Sequence, residues 1–339
     1  MGERMGITLP LGRYRFAFRA VDDLRLPRFP GSAWRGVFGH ALKRAVCVTG
    51  LPACPDCLLY RSCAYPYVFE TPPPLGTEKM RKYPAAPHPF VLDLEEDGGA
   101  TPAGAPYTLG LTLIGRGNAY LSPIVFALGQ AGERGLGSRR GRLALETVAQ
   151  ETALSGEWRT IHRTGGGLNA LPPFVPQTPA VPESLRINFR TPLRIKRDDR
   201  PISAEDFTFG MFFSNLLRRI SMLSYFHSDT PLEADFAGLT ASAREIPFAG
   251  AALSWHDGTR YSSRQGRETP MGGLLGEIAL DGAGLDPFWP YLWLGQYVHA
   301  GAATSMGLGR YAITSASLPG GTAAADRGSM EACESKPVE

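Results

Sequence analysis

The chain lacks a long apolar run. Of its 339 residues, the longest such stretch is 288–298, and Pro290, Gly295 and Gln296 interrupt it. A membrane-spanning helix needs about 20 predominantly apolar residues, so this stretch is too short to cross a bilayer. The first 20 residues carry arginines and no apolar core, unlike a secretory signal peptide. Both absences predict a cytoplasmic protein with no membrane partner.

A strong net charge and a mononucleotide-binding motif are also missing. The formal net charge is only +3 at pH 7, so an anionic partner would require clustered basic residues. Glycine-rich turns occur at 135–137 and 307–309, but neither is followed by Gly-Lys-Ser/Thr. Each turn is predicted to follow a helix and precede a strand, whereas a phosphate-binding loop follows a strand and precedes a helix. A nucleotide-binding enzyme is therefore not expected.

Two predicted strands carry a basic face. Aromatic residues at 14, 16 and 18 alternate with arginines, and 185–196 repeats this pattern with more basic residues. Because strand side chains alternate between two faces, each strand has one apolar and one basic face. A single such face is equally well explained as solvated surface, but two at matching positions favour an anionic polymer. The residues predicted to bind it are Arg13, Arg15, Arg35, Arg139, Arg186, Arg190, Arg194, Lys196, Gly307, Gly309 and Arg310.

The two halves of the chain repeat one order of predicted elements. Each has a basic strand, a helix, further strands, an apolar helix and a glycine-rich turn, which indicates a duplicated domain. Between them lies a segment rich in Gly and Pro, which can neither extend a helix nor lie inside a sheet. The predicted organisation is an N-terminal domain at 1–162, a linker at 163–183, a C-terminal domain at 184–318 and a disordered tail at 319–339.

The chain has few cysteines, and most of them are clustered in the sequence. Four of the five cysteines lie within one short segment, at Cys47, Cys54, Cys57 and Cys63. In a chain without a secretory signal, such a group is typical of a closed tetrathiolate zinc site, and reduced buried thiols are the alternative. Zinc in this insert, residues 47–63, would be structural because four sulfur ligands leave no open position.

The first predicted helix places a histidine among cations. His40, Lys43 and Arg44 lie three and four residues apart and so share one side of the helix. A histidine there can act as general acid or base on a phosphodiester, although spacing alone favours the alternative, a histidine packed against the sheet edge. His299 is a second catalytic candidate. It ends an apolar helix, where a cation would also offset the helix dipole.

Several segments resemble the CRISPR-associated endoribonucleases that process precursor CRISPR RNA, members of the RAMP superfamily. The opening Pro30–Gly39, the insert ending in Tyr67–Glu70, and the strand Phe189–Lys196 are similar to that family. The C-terminal segment His299–Tyr311 resembles the family's glycine-rich signature most specifically.

The resemblance implies an α+β fold of two tandem ferredoxin-like (RRM-like, βαββαβ) domains, with the four-cysteine insert after the first helix. It implies cleavage of CRISPR repeat RNA without a catalytic cofactor. In such enzymes, the 2′-hydroxyl upstream of the scissile phosphate attacks it and leaves a 2′,3′-cyclic phosphate. The family's general acid/base is often a histidine in or near the first helix, which corresponds to His40.

One departure from the family keeps an alternative open. Many relatives carry a lysine just before the glycine signature, where this chain reads Gly301-Ala302-Ala303-Thr304. The alternative is a non-catalytic RAMP subunit that holds mature crRNA beside other CRISPR effector subunits. A third hypothesis is a zinc-stabilised structural protein with an incidental basic face.

Overall fold

The structure, a computed structural model, describes residues 7–74, 76–77, 86–94, 98–153, 156–262 and 267–315. The predicted tail at 319–339 and residues 1–6 of the predicted N-terminal domain lie outside the described residues. Within the described parts, two antiparallel sheets each pack against helices. The mixed α/β architecture expected from the sequence is therefore confirmed.

The first sheet belongs to the N-terminal half. Its strands are β1 (Leu11–Ala20), β3 (Phe90–Asp93), β5 (Pro106–Ile114), β6 (Leu143–Glu151) and β7 (Trp158–Arg163), and a separate short pair is formed by β2 (Leu24–Arg25) and β4 (Ala100–Thr101). The sheet order is β3-β5-β1-β6-β7. Two helices, α1 (Gly31–Val46) and α2 (Leu121–Arg134), cover one face. Phe18 of β1, for example, is fully buried and its ring lies 5.4 Å from that of Trp34 in α1.

The second sheet belongs to the C-terminal half. Its strands are β8 (Ser184–Leu193), β11 (Gly250–His256), β14 (Gly273–Asp281) and β15 (Tyr311–Ser315). Two small hairpins, β9 (Lys196–Arg197) with β10 (Arg200–Pro201) and β12 (Thr259–Ser262) with β13 (Arg267–Pro270), lie outside it. The helices are α3 (Phe209–His227), α4 (Phe236–Ala243) and α5 (Trp289–Val298). Phe189 of β8 packs in a buried aromatic cluster with Phe212 and Tyr311.

Both halves share one order of elements. The second sheet runs β11-β14-β8-β15, so the first strand of each half lies between the third and fourth main strands of that half. In each half a helix follows the first strand and another helix precedes the fourth. Residues 164–183, between β7 and β8, contain neither helix nor strand, which is expected for a segment rich in proline.

No helix in the described parts of the chain combines the length and apolar character that crossing a membrane would require.

Candidate functional site

The two halves meet at the second glycine-rich turn. This turn, Gly307–Gly309, follows a short 3-10 helix, Thr304–Met306, which packs against α1 and β3 of the other half. A Cβ atom on Gly31, at the start of α1, would lie 1.8 Å from the carbonyl oxygen of Met306. Only glycine permits the two backbones to approach so closely.

A cleft of about 780 Å³ opens beside this contact. Three arginines line it: Arg28, before α1; Arg190, on the basic face of β8; and Arg310, directly after the glycine turn. Arg28 and Arg190 are exposed. The first turn of α1 also faces this region without an acidic residue or a capping side chain, so its N–H groups add positive potential. The cleft is therefore suited to an anionic ligand.

Arg310 is held within the cleft wall. Its Nε lies 3.0 Å from Asp93 Oδ1, and its Nη1 donates to the carbonyl oxygen of Leu94. Thr191 supports the same turn, because its hydroxyl donates to Gly307 O and accepts from the Arg310 amide. The glycine turn is thus fixed to β8 on one side and to β3 on the other.

The outward face of α1 carries His40. The side chain is exposed, and so are Gly36 and Arg44, one turn to either side. His40 is nine residues from Gly31, which is about 14 Å along a helix. Among the described residues that line the cleft, His40 is not included. A ligand that filled the cleft would have to extend along α1 to reach it.

Lys43 is directed away from this face. Its ammonium donates to the carbonyl oxygen of Pro52 at 3.1 Å and lies 5.7 Å from the ring centre of Tyr65. Both partners belong to the cysteine insert or the segment that follows it. The structure therefore places Arg44 beside His40, and places Lys43 against the insert.

His299 is buried behind the glycine turn. Its side chain is 1% exposed, and its Nδ1–H donates to Leu308 O at 3.2 Å. Burial lowers the pKa of His299 to about 4, so the ring is neutral at pH 7. Arg219 of α3, also buried, donates from its Nε to the carbonyl oxygens of Val298 and His299. These bonds connect α3, the end of α5 and the turn.

Arg35 and His88 form a second interior link between the halves. Arg35 Nη2 donates to His88 Nε2 at 3.0 Å, and Arg35 Nε donates to the Ser305 hydroxyl at 3.1 Å. His88 donates from Nδ1 to the Thr71 hydroxyl, which itself donates to Ala86 O. Burial, followed by the nearby Arg35 charge, lowers the pKa of His88 to about 3. Sequence reasoning missed His88, because no motif surrounds it.

The arginines on the predicted basic face of β1 interact with other side chains of the protein. Arg13 pairs with Glu151 and lies 3.5 Å from Asp93. Arg15 stacks on the Trp158 ring, with its guanidinium carbon 4.0 Å from the ring centre. These side chains fix the sheet face, and neither lines the cleft as the described residues define it.

Of the basic side chains on β8 and directly after it, some bond to other residues of the protein and others are exposed. Arg186 donates to Glu277 at 2.5 Å, and Arg194 donates to Pro270 O. Lys196 is exposed, with its ammonium 4.0 Å from Asp199. Arg190 is the member of this face that lines the cleft. Arg139, beside the first glycine turn, is exposed on the other half of the chain.

The four cysteines of the insert are among the residues that line one small cavity of about 20 Å³, and all four are free thiols. In the described residues, no three His, Cys, Asp or Glu side chains are grouped closely enough to hold a metal ion. The zinc site thus stays a prediction.

Two family models match the sequence. Residues 9–173 match a model described as an N-terminal domain, AF_1859_N, and residues 187–311 match the model of the CRISPR-associated endoribonuclease Cas6. The chain matches none of the curated proteins.

Solved Cas6 structures share the fold. A Cas6 product complex has a TM-score of 0.54 at 18% identity, covering 90% of this chain and 99% of that one. Thermus thermophilus Cas6 has a TM-score of 0.50 at 17% identity, covering 91% and 100%. A partial Cas6-RT-Cas1–Cas2 complex has a TM-score of 0.52 at 14% identity, covering 91% and 46%. At these identities the likeness is one of fold.

Proposed function

Because the chain belongs to the CRISPR-associated endoribonuclease family that its Cas6 domain identifies, we propose that it binds CRISPR repeat RNA and cleaves precursor crRNA without a metal ion. The 2′-hydroxyl upstream of the scissile phosphate attacks phosphorus, and the bond to the 5′-oxygen breaks. The products are a 2′,3′-cyclic phosphate and a 5′-hydroxyl. Tandem ferredoxin-like domains form part of this proposal, supported by the matching strand order of the two sheets.

His40 is the proposed proton carrier. The observation that carries this assignment is its exposure on α1, a helix whose first residue, Gly31, lines the same cleft as the three arginines. An accessible imidazole can take the proton from the attacking hydroxyl, and its protonated form can return one to the departing 5′-oxygen. His299 is assigned a supporting role, because its ring is buried and donates to Leu308 O.

The cations take different roles. Arg44 is one turn from His40 and is proposed to stabilise charge on the pentacoordinate phosphorus. Arg28, Arg190 and Arg310 are proposed to bind the RNA backbone in the cleft. Lys43 would act indirectly, by fixing the insert against α1 through Pro52.

Cleavage in a chelator tests the activity. We expect the purified protein to cut cognate repeat RNA in EDTA and to leave a 3′ end that resists phosphatase until acid opens the cyclic phosphate. His40→Ala should slow cleavage at least about a hundredfold, the loss typical of a general acid or base, and should leave RNA affinity within about threefold of wild type.

His162→Ala, on the half-buried histidine of β7, is the matched control and should cut at the wild-type rate. Undiminished cutting by His40→Ala would remove His40 from the mechanism. Tight, repeat-specific binding by the wild type with no cleavage, with or without magnesium, would favour the non-catalytic crRNA-binding subunit.

A further inference from the structure

We propose that the cysteine insert binds one zinc ion through the thiolates of Cys47, Cys54, Cys57 and Cys63. The ion would be structural and would cross-link the segment that follows α1. This proposal is independent of the RNA chemistry above.

The four cysteines line a single cavity. Its volume is about 20 Å³, which has room for one small ion or water. Cys47 Sγ and Cys57 Sγ both contact the Thr49 hydroxyl, at 4.0 and 3.4 Å. A tetrathiolate site holds each sulfur about 2.3 Å from the ion. The thiols are not grouped that closely here, so binding would have to draw them inward from their present positions.

Cys47 directly follows α1, so the first of the four ligands would be fixed to the end of that helix.

The insert cannot be stabilised by an apolar core of its own. Residues 47–63 contain no helix or strand. Their large apolar side chains face solvent: Val48 is 81% exposed, Leu51 41%, Leu58 101% and Leu59 41%. A short segment that buries so little apolar surface is ordered by a cross-link, and a metal ion held by four cysteines supplies one.

The ion would act through the helix that carries His40. Cys63 leads into a one-turn helical segment, Pro66–Glu70, whose Phe69 packs against Phe38 of α1 with ring centres 4.9 Å apart. On the other side, Pro52 accepts a hydrogen bond from Lys43 of α1. A zinc ion joining the two ends of the insert would brace α1 at its C-terminal end, whereas the cleft adjoins its first residue, Gly31.

Metal content and thiol reactivity test the proposal without an activity assay. After dialysis against metal-free buffer and addition of excess zinc, gel-filtered protein should retain one zinc per chain by mass spectrometry. Thiol labelling of native protein, read out separately from the fifth cysteine of the sequence, Cys333, should then leave the four insert cysteines unmodified, whereas chelator treatment should make all four reactive. Cobalt substitution should give a thiolate-to-cobalt charge-transfer band.

Cys54→Ser and Cys63→Ser should each lose the bound metal, whereas Cys333→Ser is the matched control and should keep it. Absence of bound metal from zinc-treated wild type, labelling unchanged by zinc, or retention of full zinc by both serine variants would overturn the proposal. The wild-type labelling experiment decides the question even where a serine variant does not fold.

Discussion

The two Gly-Leu-Gly turns both hold their glycines at positive φ, but they differ in ψ at the first glycine (152° at Gly135, 5° at Gly307) and in their neighbours. In the first, Gly135 and Gly137 have φ values of 84° and 72°; in the second, Gly307 and Gly309 have values of 80° and 69°. Each turn lies between a helix and a strand. The first packs within its own half, where a Cβ on Gly137 would approach Arg25 O. A Cβ on Gly307 would instead approach Leu92 O in the opposite half.

Positive φ alone therefore does not decide what a turn does. Glycine permits it in both halves. The role depends on what the turn contacts, and the second turn adjoins the cleft while being fixed by Thr191 and Arg310. We therefore expect changes at the second turn to affect both stability and RNA binding, and changes at the first to affect stability alone.

Replacement of the glycines should give the largest effect. A Cβ on Gly309 would lie 1.7 Å from Ala300 O, one on Gly137 2.7 Å from Arg25 O, and one on Gly284 would meet nothing within 4 Å. All three have positive φ. In urea denaturation, Gly309→Ala should cost about 3 kcal/mol or more, since overpacking adds to the backbone strain. Gly284→Ala should cost about 1 kcal/mol, with strain alone.

Gly137→Ala should fall between these two. If Gly309→Ala were no more destabilising than Gly284→Ala, the tight backbone contact at the second turn would be wrong.

Lowering the pH should destabilise the second turn more than the first. Burial, Arg310 and Arg219 lower the pKa of His299 and Asp93 opposes them, and the resulting value is about 4. A histidine in the unfolded chain has a pKa near 6.5 and is therefore protonated before His299 of the folded protein. The contribution of neutral His299 to the free energy of unfolding is complete above about pH 6.5 and is lost as the pH falls towards 4. At pH 5 the loss is about 2 kcal/mol.

Hydrogen exchange can locate this loss. The Gly309 amide donates to Pro192 O, and the Leu136 amide of the first turn donates to Gly141 O. Between pH 7 and pH 5, and after correction for intrinsic rates, protection at Gly309 should fall more than tenfold relative to Leu136. His299→Asn should abolish that difference. Equal losses at both amides would separate His299 from the behaviour of the turn.

The arginines beside the turns should show the smallest effect. Arg190 lines the cleft, whereas Arg139 is exposed beside the first turn. Arg190→Ala should weaken repeat RNA binding about tenfold and reduce the salt slope by about one unit, as expected for one lost phosphate contact. Arg139→Ala should change affinity by less than about twofold. Equal losses, measured by titration at several salt concentrations, would contradict the separation of roles.

The elements could be predicted from local sequence, but the pairing of charges could not. Alternation of Tyr14, Phe16 and Phe18 with arginines predicts a strand with an apolar face, and β1 has that form. The same pattern cannot show that Arg13 pairs with Glu151, which lies 138 residues later. That contact depends on the register of β1 against β6, which is set by the packing of the whole sheet.

The candidate site was predictable to a similar extent. Helical spacing places His40 and Arg44 on one exposed face, as the structure has them. Spacing also places Lys43 there, but its long side chain turns to Pro52 because the insert offers a carbonyl acceptor. Arg28 escaped the sequence analysis, since its position in the cleft depends on contact between the two halves.

Arg219 supports the end of α5 through main-chain oxygens alone, at Val298 and His299. A bond to a carbonyl is indifferent to the side chain that residue carries. A substitution at Val298 or His299 would therefore keep both acceptors, so the attachment of α5 to α3 is a property of the backbone path.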